Sequence, residues 1–284
     1  MRYSGTDSPI LSLNTHFTPS DRSQKIYIAK EKLCQGDKVV LISTQLIEAG
    51  VDIDFPVLYR DFATISSIVQ SAGRCNRNGK NAEKGKVVVV RLGTNQGERS
   101  DLIYRGSDKE LIKFSRESFY ESENCEEKDM LNIQKAFFEK ICDQLIFGAY
   151  GEKLKNNLME DISQCMYEKV GKFSLVDNNI FGEECLYYVP RNGDDNNFEL
   201  LLKYQKNLKE SLLHDDKISI IRCHKRKLSN QLKKMANRIV QIRIKPNQSK
   251  PITSSGEDYN GLYKISTKCY NFDTGIIIDG DNYL

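Results

Sequence analysis

The chain has 284 residues, enough for one or two domains with a sizeable core. At 39% hydrophobic and 29% charged residues with a net charge of +3, it has the make-up of an ordinary globular protein, neither a disordered polyelectrolyte nor a strongly basic tail. Its eight scattered cysteines show no CxxC spacing and its three histidines complete no zinc set; unpaired thiols, no apolar run of about 18 residues and no signal-like N-terminus set the expectation of a cytoplasmic protein away from the membrane.

Ile10 to Thr15 reads as a short strand. Thr18-Pro19-Ser20-Asp21 is a helix start, with proline just inside a hydroxyl cap, and Ile26, Ala29 and Leu33 carry the helix to a stop at Gly36. Val39 to Ile42 is an apolar run short enough for a buried parallel strand. Ser43 to Gln45 ends it, a short apolar segment leads to Gly50-Val51-Asp52, and Pro56 to Arg60 is the next candidate strand. Ile65, Ile68, Val69 and Ala72 have helical spacing, and Gly73-Arg74-Cys75-Asn76-Arg77-Asn78-Gly79 follows. Gly85 to Leu92 is a β-branched run bounded by glycines, hence a further buried strand. Strands alternating with helices in this way imply a parallel α/β sheet, whose ligands meet the loops at the carboxyl ends of the strands.

Beyond this region, Asn95 to Glu110 has loop composition, and Met130 to Leu145 and Leu154 to Val170 have amphipathic helical spacing, read as core faces rather than a cofactor site. Phe173 to Val176 and Cys185 to Pro190 read as strands joined through an Asp177-Asn178-Asn179 turn, and Phe198 to Leu213 as a helix. Eleven lysines and arginines lie between Lys217 and Lys250 with no acid until Glu257. Leu228, Leu232 and Met235 give this stretch a helical apolar face, and Ile239 to Ile244 alternates like a strand. Such a basic helix either sits on phosphates, through Lys225, Arg226 and Lys227, or is a solvated face. Cys223 and His224 are neighbours that do not point at one metal. Gly261 to Ile277 closes as a hairpin-like end.

Arg74 and Arg77, three apart beside a glycine, have the fork geometry that grips phosphate oxygens, where lysine offers only a point charge. Alone, the pair would read as surface charge. Its position after a strand, a Gly-x-Asp turn and a second strand argues otherwise.

Ser43 to Phe55 resembles motif V, and Gln70 to Arg77 motif VI, of superfamily 2 helicases. The form STQLIEAGVDIDFPVLYRD followed by SIVQSAGRCNRNG is most similar to the helicase-nuclease of type I CRISPR systems. Asn14 to Arg22, NTHFTPSDR, resembles the segment after motif IV, and GKFSLVDNN with LYYVPRN, and then Tyr270 to Gly275, resemble the same family's C-terminal domain. The resemblance implies an α/β fold: a partial RecA-like parallel-sheet lobe, N-terminally incomplete, over residues 1–100; a helical connector over 101–170; and a small α+β accessory domain over 171–284.

The resemblance also implies roles. Arg74 and Arg77 match the motif VI arginines at the γ-phosphate, with Arg77 as the arginine finger, and such fingers raise rates by about 10³–10⁵. Gln70 matches a position orienting phosphate or water. Gly50 and Asp52 match motif V positions near the ATP ribose, with Gly73 beside the phosphates. Thr44 matches a hydroxyl on a nucleic-acid phosphate, and Asn14 a contact to the tracking strand. Where the family usually has arginine, this chain has Ser71. The chain contains no GxxxxGK[ST] phosphate loop, no DExx-type box and no paired His-Asp nuclease motif. ATP and its Mg²⁺ are therefore expected to be held chiefly by a first lobe outside this sequence, and the chain alone to be inactive. Expected partners are single-stranded DNA, that lobe with the nuclease domain, and the CRISPR RNA-guided surveillance complex (Cascade). A different reading keeps the chain as a non-catalytic docking module using the basic 217–250 region.

Overall fold

The computed structural model describes residues 9–278 except 49, 80–83, 96, 105–107, 120–123, 144–159, 172–181, 191–195 and 245–247. The chain divides into two compact units, Met1–Leu46 with Val176–Leu284, and Ile47–Leu175. These divisions fall at other points than the expected 1–100, 101–170 and 171–284.

The first unit begins with strand β1 (Ile10–Leu13), helix α1 (Pro19–Cys34) and strand β2 (Val40–Ser43). The Thr18 hydroxyl accepts from the Asp21 N–H at 3.1 Å, and proline stands in the first turn, so the start signal works as read. β1 and β2 pair in parallel, Ile10 opposite Val40, with α1 as the crossover.

The second unit repeats the pattern. Strand β3 (Val57–Asp61), helix α2 (Ile65–Ala72) and strand β4 (Lys86–Val90) form another parallel pair, Val57 opposite Lys86. A small hairpin of β5 (Gly93–Thr94) and β6 (Gly97–Glu98) leads into α3 (Arg99–Ile103), α4 (Asp108–Phe119) and α5 (Glu127–Ile141). Ile65 of α2 packs with Phe114 of α4 and Phe137 of α5, and Ile68 with Phe62 and Ala63. The last helix described in this unit, α6 (Tyr167–Val170), is short.

The first unit then resumes with β7 (Glu183–Tyr188), α7 (Asn197–Leu213), α8 (Ile218–Met235) and β8 (Ile239–Ile244). β9 (Thr253–Tyr259), β10 (Leu262–Ile265), β11 (Tyr270–Asn271) and β12 (Gly275–Ile276) complete it. The sheet order is β8-β7-β10-β9, with β7 and β10 parallel and the other pairs antiparallel. Strand alternation places Cys185, Tyr187, Val240, Ile242 and Ile244 on one face with Ile276 and Ile278. Tyr188 and Leu262 lie on the other with Phe198, Leu201, Leu228 and Met235 of α7 and α8. Each fully buried Ile or Val side chain here contributes about 1.5–3 kcal/mol.

Three expectations change. The four N-terminal strands form two separate two-stranded parallel sheets instead of one; Ile42 and Tyr59, at 61% and 72% exposed, leave one face of each pair uncovered. The helix expected over Leu154–Val170 is interrupted, because Cys165 takes a left-handed backbone with φ 53, which an L-residue in a helix cannot; its first six residues, like the Phe173–Val176 strand and the following turn, lie outside the described residues. The Asn95–Glu110 stretch, read as loop, holds α3 and the start of α4. Among the described residues, no helix is long and apolar enough to cross a membrane.

Within the first unit, the β1–α1 segment is anchored to the C-terminal hairpin by a polar knot. The Arg238 guanidinium donates to Asp21 at 3.2 Å and to the Val189 carbonyl at 3.1 Å. The Tyr270 hydroxyl donates to Asp21 and accepts from the Thr18 N–H at 3.0 Å. Burial, and then the Asp21 hydrogen bond, push the Tyr270 hydroxyl up to about 12. Lys25, 2% exposed, stands 4.4 Å from the ring centres of both Phe17 and Phe272. Asp21 and Arg238 side chains are only 11% and 13% exposed. Removing one partner strands the other, so Asp21→Ala is expected to cost about 3–5 kcal/mol, read as a lowered urea midpoint.

Candidate functional site

The residues expected to meet nucleotide all lie in the second unit. After β2 the chain turns through a 3₁₀ segment, Gln45–Ile47, and Gly50 takes φ +75, a left-handed conformation that only glycine adopts without strain. Asp52 is exposed and Val51 and Ile53 are buried, so the Gly-Val-Asp-Ile-Asp stretch alternates core and solvent. Phe55 then pairs with Cys75 across a parallel bridge: the Phe55 N–H donates to the Arg74 carbonyl at 3.0 Å, and the Asn76 N–H to the Phe55 carbonyl at 2.9 Å. The two helicase-like motifs are therefore stitched together by backbone.

Their arginines are held differently. Arg74 donates through Nε to the Ile47 carbonyl at 3.1 Å and through Nη2 to the Glu48 carbonyl at 2.9 Å. Two of its five N–H donors are thus engaged by the turn before Gly50. Arg77 is exposed, and its ion pair to Asp52 is long at 3.5 Å, with side chains 45% and 75% accessible. Such a pair is worth about 0–1 kcal/mol and releases its guanidinium readily. What fixes Arg77 is its backbone. Asp54 accepts from the N–H groups of Arg77 at 2.8 Å and Asn78 at 3.1 Å, while Asn76 takes φ 46, which asparagine tolerates.

Gln70 is exposed on α2, opposite the buried Ile65, Ser67, Ile68 and Ser71. Gly73 ends that helix with an ordinary φ of −63, and an added Cβ would meet only van der Waals neighbours, the nearest at 3.5 Å. The fold itself thus does not require glycine at 73, as it does at 50.

Two residues absent from the sequence-based set organise this region: Asp54, as above, and Glu48. The Glu48 side chain, 9% exposed, accepts from Arg60 at 2.9 Å and Ser67 at 2.7 Å, with the Ser71 hydroxyl at 3.4 Å. Ser71, which departs from the family pattern, is 1% exposed and donates to the Ser67 carbonyl at 2.9 Å. An acid inside the apolar run Leu46-Ile47-Glu48-Ala49 was the available signal. Glu48→Ala leaves Arg60 largely buried without its carboxylate, and is expected to destabilise the protein by about 3–5 kcal/mol in urea unfolding, with Asp54→Ala milder.

The expected nucleic-acid residues lie in the first unit. Thr44, exposed, follows β2, and its N–H donates to the Leu13 carbonyl at 3.2 Å. The Asn14 side chain accepts from the His16 N–H at 2.9 Å, making a turn at the end of β1. Lys225, Arg226 and Lys227 are on α8, whose buried face is Leu228, Gln231 and Met235. Consecutive helical positions splay by about 100°, so these three do not face one ligand together. Arg226 instead shares the outward face with Arg222 and Lys233. Three other cations of the basic run are committed internally: Arg238 to Asp21, Arg243 to Glu184 and Lys250 to Glu183. Among the described residues, no grouping of three or more His, Cys, Asp or Glu could hold a metal ion.

Residues 2–80 match the family profile "CRISPR-associated nuclease/helicase Cas3, C-terminal". Over 86 residues the chain is 46% identical to the CRISPR-associated nuclease/helicase Cas3 of Haloferax volcanii, an alignment covering 30% of this chain and 9% of that protein. Over 168 residues it is 29% identical to the Cas3 of Methanothermobacter thermautotrophicus, covering 58% of this chain and 20% of that protein. The crystal structure of T. fusca Cas3-AMPPNP aligns with a TM-score of 0.49 at 14% identity, over 92% of this chain and 33% of that one. The chain thus spans well under half the length of these relatives. By the sequence matches, strongest over the stretch that carries both helicase-like motifs, the chain is similar to the C-terminal portion of CRISPR-associated nuclease/helicases of the Cas3 type.

Proposed function

We propose that this chain supplies the second RecA-like half of an ATP-driven DNA translocase in type I CRISPR interference. The observation that carries this reading is the asymmetry of the two motif VI arginines. Arg77 is exposed on a backbone turn fixed by Asp54 and is only weakly paired, whereas Arg74 is tied to the carbonyls of Ile47 and Glu48. A finger must be positioned yet uncommitted, because it stabilises charge that develops on the transferring phosphoryl. In this reading Arg77 enters the γ-phosphate region of an ATP held by the first lobe, and Gln70 and Gly73 line the approach. The metal ligands would come from that first lobe, where Mg²⁺ would supply neutralisation of phosphate charge. The helicase lobe is taken to run over 1–100, the connector over 101–170 and the accessory domain over 171–284. Single-stranded DNA passes Thr44 and Asn14, and the CRISPR RNA-guided surveillance complex is the proposed assembly partner.

The chain alone is expected to hydrolyse no ATP. Mixed with a separately produced first lobe and nuclease domain of a Cas3 relative, it is expected to restore DNA-stimulated hydrolysis, and Arg77→Ala to lower kcat by about 10³-fold or more. Arg77-dependent turnover by the chain alone, or full turnover by the complemented Arg77→Ala variant, would contradict the proposal.

The second reading, a non-catalytic nucleic-acid or surveillance-complex docking module, draws on the cationic face of α8. Reversing Arg222, Arg226 and Lys233 to glutamate is expected to weaken single-strand binding and to flatten its salt dependence, by about 0.7 in the log–log slope for each phosphate no longer neutralised. Unchanged binding would leave this face simply solvated.

A further inference from the structure

Three consecutive backbone N–H groups in the second unit are accepted by one dipeptide. The Asn76 N–H donates to the Phe55 carbonyl at 2.9 Å, the Arg77 N–H to Asp54 Oδ1 at 2.8 Å and the Asn78 N–H to Asp54 Oδ2 at 3.1 Å. The Asn78 side chain adds an Nδ2 donor to the same Oδ2 at 3.3 Å. We propose that Asp54 is the positioning residue for Arg77. Its carboxylate holds the turn from which the guanidinium reaches a phosphoryl group, and turnover depends on it although it does not itself touch the nucleotide. The inference rests on the reading of Arg77 as the arginine finger, and adds to it the group that sets the finger's reach.

Asp54 is itself firmly placed. Ile53 before it is 1% exposed, and Phe55 after it donates its N–H to the Arg74 carbonyl at 3.0 Å. The segment it holds is a tight turn. The Gly79 N–H closes on the Asn76 carbonyl at 3.0 Å, which makes Arg77 and Asn78 the two central residues. Asn76 and Gly79 flank them with φ 46 and 59, both left-handed. A left-handed residue other than glycine persists where the surrounding contacts over-determine it, and the hydrogen bonds from 76, 77 and 78 to residues 54 and 55 are such contacts.

The side chain of Arg77 has much less to hold it. Its guanidinium has the 3.5 Å pair to exposed Asp52, a contact too weak to fix a geometry. Backbone N–H groups on a carboxylate make charge-assisted bonds, roughly twice as strong as neutral ones. The finger's reach is therefore set at the main chain, by Asp54. A group misplaced by about 1 Å at a transition state costs about 10²-fold in rate. The loss falls on kcat, because a finger acts on charge that develops only as the phosphoryl transfers.

The test uses the complemented enzyme described above. Steady-state ATP hydrolysis is measured for Asp54→Ala, Asp54→Asn, Arg77→Ala and the double variant Asp54→Ala/Arg77→Ala, with urea unfolding of each chain. Asp54→Ala is expected to lower kcat by about 10²-fold with the KM for ATP unchanged. Asp54→Asn, which offers one acceptor oxygen to the two N–H groups, is expected to fall between it and wild type. The double variant is expected to be no slower than Arg77→Ala, because Asp54 acts through Arg77. In the chain alone, amide hydrogen exchange followed by NMR is expected to quicken about tenfold at Arg77 and Asn78 in Asp54→Ala. Wild-type kcat in folded Asp54→Ala, losses that multiply in the double variant, or a change confined to KM overturns the proposal. Equal exchange rates at the two amides overturn it as well. Full turnover by Arg77→Ala instead overturns the finger reading, so the two failures are distinguishable.

Discussion

The grip of the Arg74 guanidinium on the carbonyls of Ile47 and Glu48 is the constraint from which the second unit's site follows. Those two oxygens end the turn before Gly50, and charge-assisted hydrogen bonds from one planar fork fix both at once. The same turn carries the Glu48 side chain inward to Arg60, Ser67 and Ser71. One short peptide is thus gripped from outside by Arg74 through its backbone and from inside by α2 and β3 through its side chain. The two grips meet on the turn that leads into the loop bearing Asp52.

That arrangement divides labour between two arginines that look equivalent in sequence. A side chain bonded to neutral carbonyls keeps its charge but loses freedom, while one facing an exposed carboxylate at 3.5 Å keeps both. Asp54 holds Arg77 by its backbone, leaving the guanidinium out of the structural network. At this one residue the main chain is fixed while the side chain stays weakly held. Ser71 fits the same pattern. On the buried side of α2, a short hydroxyl can turn back to the helix beside Glu48, whereas an arginine would have to displace the packing around Ser67.

How much of this was legible in the sequence depended on range. The Thr18-Pro19 cap, the β-branched run at Lys86–Val90 and the alternation of Ile239–Ile244 are local signals, and each element appears. The helical spacing of Leu154–Val170 was equally local, yet one left-handed residue, Cys165, interrupts it, and nothing in a cysteine announces that. The single sheet expected from strand–helix alternation depended on which strands pair, a non-local matter, and the described strands pair two by two. Among the site residues, Arg74 and Arg77 were visible through their spacing. Glu48 and Asp54 were not, because their importance lies in partners 12 to 24 residues away. Composition could not sort the basic 217–250 run: Arg238, Arg243 and Lys250 answer acids of the same unit, while the α8 face keeps its charge outward.

The polar knot in the first unit is a second case of charge used to hold a short segment. Asp21, Arg238, Tyr270 and Thr18 share one hydrogen-bonded cluster, and Lys25 is clasped between Phe17 and Phe272. Burying charges this way gains little net stability over a well-packed apolar core. What it fixes is register: the donors and acceptors of the knot tie the start of α1 to Tyr270 of the C-terminal hairpin and to Arg238. That position puts the His16 carbonyl on the Ile276 N–H and brings Gly275 against it.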